Sequence, residues 1–117
     1  MDTNLQEESI LQAIDSLAVQ SGDQTTKLLA DLFKSSVLRK YKDAYDAELK
    51  LGRVSKEHLD KAIDFCFADA CVNFRLIPDV TAEAKEIEIE SAKQQLPAIK
   101  RMAKTFLINN GIVIIES

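Results

Sequence analysis

The chain has 117 residues, 46% hydrophobic and 29% charged, with three glycines, two prolines and a formal net charge of −4. That length and apolar content suit one globular domain, residues 1–117, and exclude a disordered chain. The acid excess argues against a general binder of nucleic acid or anionic membrane, since such proteins usually carry a positive field.

No uninterrupted apolar run exceeds four residues, as at Ile112 to Ile115, far short of a membrane span. The opening MDTNLQEES is acidic and lacks the charged and apolar regions of a secretory signal, so a cytoplasmic protein is the expectation.

Residues 4–20 predict a first helix. Thr3 and Gln6 fit a capping box, and Ile10, Leu11, Ile14, Leu17 and Ala18 form one apolar stripe. Gly22 suits its end, and Asp23 suits the N-cap of the next helix.

From Gln24 to Leu51 the pattern stays helical while its stripe wanders. Leu28, Leu29, Leu32 and Phe33 share a face that Leu38, Tyr41 and Tyr45 have left, with Ser35-Ser36 where the rotation falls. Either one long helix touches different neighbours at its two ends, or it breaks at those serines. Gly52 closes it.

Ser55 to Ile77 is the stretch that organises the rest. At 100° per residue Leu59, Ile63, Cys66, Phe67, Ala70, Phe74 and Ile77 share one face. Phe65, Ala68, Val72 and Leu76 form a second apolar stripe opposite. A helix apolar on two sides is covered on both, by its own chain or by a second molecule. Ser55 is its N-cap, Val54 and Leu59 its hydrophobic staple, and Pro78 its stop. The alternation of Val72, Phe74 and Leu76 with Asn73 and Arg75 also permits a short strand, but the longer stripe favours helix.

Asp79 or Thr81 opens a last helical region, Ala82 to about Asn110. Ile89, Ala92, Leu96, Ile99, Ala103, Phe106 and Leu107 keep one face across Pro97, where a kink is favoured over a break. Gly111 ends it, and Ile112-Val113-Ile114-Ile115 follows without an obvious partner strand. Three routes are open to this tail: lying extended across the helices, pairing with Val72–Ile77, or joining another molecule by strand addition.

Chemistry-bearing patterns are sparse. On one helix Cys66 and Cys71 are roughly 8–9 Å apart and point in different directions, which suits neither a disulfide nor a shared metal. They read as buried thiols. His58 reads as a solvated first-turn residue, and Asp60 and Asp64 as solvated acids near a helix start. Taking Gly52 as the sixth position of a calcium loop puts Ala47, Leu49, Leu51 and His58 at ligand positions, none of them a carboxylate.

The best-defined rival is a nucleic-acid-binding regulator of helix–turn–helix type, with its turn at Gly52. Lys56, Glu57, Asp60, Lys61 and Asp64 on its second helix would repel phosphate as much as attract it. Arg39, Lys40 and Lys42 beside two tyrosines could hold single strands, but Asp43, Asp46 and Glu48 follow directly.

The reading is therefore an all-α bundle of four or five helices, with a central buried helix and a short extended C-terminal segment. It carries no catalytic, cofactor or metal site. Its expected role is protein–protein interaction as an adaptor, accessory or regulatory subunit that self-associates. Phe65, Val72, Leu76, Ile112, Val113, Ile114 and Ile115 are the candidate contact residues.

Overall fold

Asp23 and Thr81 cap the starts of the two helices that follow them. The Asp23 carboxylate accepts from the Thr25 amide at 3.2 Å, and Thr81 Oγ1 accepts from the Ala84 amide at 3.1 Å. The structure, a computed structural model, describes the backbone of residues 3–116 and the side chains of residues 6–20 and 22–116. The capping box expected at Thr3 lies outside the described side chains.

Five helices account for 81% of the described residues. They are α1 (Thr3–Ser21), α2 (Gln24–Lys50), α3 (Lys56–Arg75), α4 (Ala82–Gln94) and α5 (Leu96–Asn109). Two three-residue strands, β1 (Arg53–Ser55) and β2 (Val113–Ile115), pair in parallel with Val54 opposite Ile114. The chain is thus all-α with a minimal ribbon.

The α2–α3 hairpin is the most extensively packed pair of elements, with α1 laid along α2 and with α4 and α5 against α3. Helix α2 runs unbroken through Ser35-Ser36. Ser35, Leu38 and Tyr41 are its buried positions, so the rotated stripe reflects a change of neighbour rather than a break.

The core sits at one end, where Val54 is 0% exposed and packs with Leu59 and Leu107. Tyr45, Leu49, Ile63, Ala103, Ile112 and Ile114 close around them. The staple pair Val54 and Leu59 is therefore joined in the centre of this core.

Helix α3 is not covered on both sides along its length. Leu59 and Ala62 are buried near its start, while Ala68, Cys71 and Val72 are buried near its end. At 100° per residue these two sets lie roughly half a turn apart. The first faces the ribbon and α5; the second belongs to the end where Arg75 bonds Asp31 of α2. On the side left open, Cys66, Ala70 and Ile77 are exposed. Phe67, Ala70 and Phe74 there line a cleft of about 330 Å³ with Ile89 and Ala92 of α4.

Within the chain the tail follows neither of the two intrachain routes expected, lying across the helices or pairing with Val72–Ile77. It pairs with Arg53–Ser55, a partner too short to show alternation and already read as a turn and a staple. Val72–Arg75 is helical, so the strand alternative there is excluded. The last helical region is interrupted at Gln95, and Pro97 lies in the first turn of α5, where its missing amide costs little.

Candidate functional site

Helices α2 and α5 end in the same way. Each runs to a glycine with positive φ, Gly52 at +79° and Gly111 at +83°, and then into a strand. Gly52 donates to the Leu49 carbonyl at 3.1 Å and Gly111 to that of Ile108 at 3.0 Å, while the Ile112 amide bonds Leu107 at 3.0 Å. These reversals bring the two strands side by side.

The ladder has a definite phase. The Val113 N–H donates to the Gly52 carbonyl at 3.0 Å, so Val113 and Ile115 direct their backbone groups towards β1. Strand amides alternate, so Ile114 directs both its N–H and its C=O to the other edge. On β1 the alternation turns the Ser55 amide outward, where a Glu48 carboxylate oxygen accepts it at 3.1 Å. Among the described residues nothing plays that part for Ile114 on β2. Among the described residues, one edge of the ribbon is closed by a side chain and the other is open.

The faces differ too. Val54, Ile112 and Ile114 point into the core, whereas Val113 is 60% and Ile115 47% exposed. Leu51 and Ile108, the residues flanking the two reversals, are also exposed. In sequence Leu51 and Ile108 look like ordinary helix-end residues, and nothing local marks them as contacts.

The candidate contact residues are therefore split. Ile112 to Ile115 come together in the ribbon. Phe65 is half-buried with the Arg39 guanidinium 5.8 Å from its ring centre. Val72 is buried, so this chain covers it. Leu76 is 61% exposed but follows the far end of α3, about 30 Å from the ribbon by helix rise.

Two polar clusters tie the helices together. Arg75 donates to Asp31 at 2.8 Å and to Glu86, while Lys27 reaches Glu86 at 2.9 Å and Lys85 donates to the Arg75 carbonyl at 2.7 Å. Burial alone would raise the Glu86 carboxyl, but the donors Gln24, Lys27 and Arg75 outweigh it and draw the value down to about 2. At the other end His58 is half-buried rather than solvated, its Nδ1 2.9 and 3.0 Å from the Glu48 oxygens. Burial opposes that carboxylate as well, and the bonds from His58 and Ser55 overcome it to hold Glu48 below its usual value.

These clusters read as fasteners. Among the described residues no nucleophile stands in hydrogen-bond contact with His58, and no group of three or more His, Cys, Asp or Glu is placed to hold a metal. Lys40 and Lys42 are engaged by Glu7 and Asp46. Cys71 is buried, and desolvation pushes its thiol up to about 11, whereas Cys66 is exposed, contrary to expectation. Among the described residues no helix is long and apolar enough to cross a membrane. Comparison with family models, with curated proteins and with solved structures finds no match to this chain.

Proposed function

We propose that this chain is a small cytosolic protein–protein interaction module, an accessory or regulatory subunit that associates with itself. One observation carries the reading: the folded chain leaves more surface in water than its mass requires, with many large apolar side chains exposed on it. Its accessible surface is 7593 Å², against about 6,400 Å² for a folded monomer of 13.1 kDa. The excess, roughly 1,200 Å², exceeds the ~800 Å² that each partner contributes to a standard specific interface.

Large apolar side chains are exposed on several elements. They stand on the outer side of α1 and α2 (Leu17, Leu29, Leu32, Phe33), on α5 (Ile99, Met102, Phe106) and at the ribbon. Apolar side chains exposed together mark association sites. A nucleic-acid-binding role draws less support, because the basic cluster of α2 is largely occupied by carboxylates of its own chain.

The mass of the full chain in solution, by sedimentation or light scattering over a range of concentrations, tests the reading. Twice the 13.1 kDa chain mass or more is expected at micromolar concentration. A mass of one chain at every concentration would remove self-association.

A further inference from the structure

The open edge of β2 deepens that reading, on which it rests, by naming the surface and its occupant. We propose that β2 pairs antiparallel with β2 of a second copy, about a two-fold axis through Ile114, to give a four-stranded sheet in the order β1-β2-β2-β1.

Four observations lead there. A parallel pair of strands is normally covered on both faces, yet Val113 and Ile115 face outward. Natural sheet edges are guarded by charge, proline or a bulge, or are covered. Glu48 guards the β1 edge, while Ile112-Val113-Ile114-Ile115 carries no charge and no proline.

The edge is also self-complementary. Ile114 presents both its N–H and its C=O, and it is the middle residue of the strand. A two-fold axis there lets the two Ile114 residues exchange both bonds, as a hydrogen-bonded antiparallel pair does. Val113 then stands opposite Ile115 of the second copy on one face, a pairing of β-branched side chains. Glu116, the nearest acid along the strand, is taken up by Lys104 of its own chain. Such a contact is isologous and closes at two copies, whereas an edge left open invites fibres.

The fourth observation is area. The pairing sets Val113 against Ile115 of the second copy side by side on the outer face, where both are exposed in the single chain. They belong to a molecule that carries roughly 1,200 Å² more surface than its mass requires, spread over several elements.

The test uses the full chain and three variants, each followed by solution mass and helical circular dichroism. Ile114→Pro removes the edge N–H while keeping an apolar side chain, and proline is tolerated on an edge strand. It should halve the mass and leave the helical signal unchanged. Val113→Lys/Ile115→Lys sets like charges opposite one another across the axis and should also give a single-chain mass. Val113→Lys/Ile115→Glu sets opposite charges in the same register and should retain the dimer.

The two double variants alter exposed positions, so they decide the matter even if the proline variant fails to fold. A wild-type dimer that survives both Ile114→Pro and the double-lysine change would overturn the strand pairing and leave self-association standing. A Lys/Glu variant as monomeric as the double-lysine one would overturn the register. Wild type at single-chain mass throughout would overturn both this inference and the reading beneath it.

Discussion

Arg75 shows how one side chain can decide a helix contact. Its guanidinium is 7% exposed and lies between Asp31 of α2 and Glu86 of α4. Removing one partner of a buried pair leaves the others desolvated without compensation, so Arg75→Met should cost about 3 kcal/mol in urea unfolding. Glu86 adds a pH signature. Its folded value, about 2, lies below the 4.5 of the free side chain. A depressed carboxyl stabilises the fold in full above the unfolded value, and that contribution is lost as pH falls through 4.5 towards 2. Glu86→Gln should therefore lower stability at pH 7 and flatten the acid limb between pH 4.5 and 2. Unfolding midpoints measured across that window check the sign: an acid limb as steep as that of wild type would assign the loss to other carboxylates.

At the scale of the element, the helices were legible and the ribbon was not. Apolar periodicity, Asp23, Gly22, Gly52 and Pro78 set the helices, because these signals act within one turn of chain. The ribbon depends on two glycines nearly sixty positions apart, and three-residue strands are too short to display a period of two. The same limit explains α3. Its two stripes were visible, but which neighbour covers each half depends on the crossing of helices, and Cys66 and Ala70 ended in the open. Ser55 stands at the N-cap position without a side-chain cap bond, its amide held instead by Glu48. Gly52 and Gly111 then carry a direct test. A Cβ built on either meets nothing within 4 Å, so alanine would bring only the backbone penalty of positive φ. That penalty is roughly 1–2 kcal/mol at each site. Both turns feed one ribbon, so the double variant should depart from the sum of the singles, which a double-mutant cycle by chemical denaturation would detect.

The whole molecule is broad and thin for its length, 43 × 36 × 20 Å with a radius of gyration of 15.4 Å, against about 13.4 Å for a compact chain of 117 residues. Val54, Leu59 and Leu107 form one buried cluster at one end and Ala68, Cys71 and Val72 are buried towards the other end of α3, while Ile87, Met102 and Phe106 of α4 and α5 are left in water. The proposed self-association would complete this shape with a second surface and so couple folding to association. Unfolding of a dimer releases two chains, so mass action raises its melting temperature with concentration. A tenfold rise in concentration is worth about 1.4 kcal/mol per dimer, or half that per chain. For a domain of this size that moves the midpoint upward by roughly 3–5 °C per decade. Melting curves over two decades of concentration read the shift directly, with Ile114→Pro as the comparison. Wild type should climb and the proline variant should stay level. A level wild type would mean that the thin, apolar-surfaced chain is stable alone, and its surplus surface would then need a different partner.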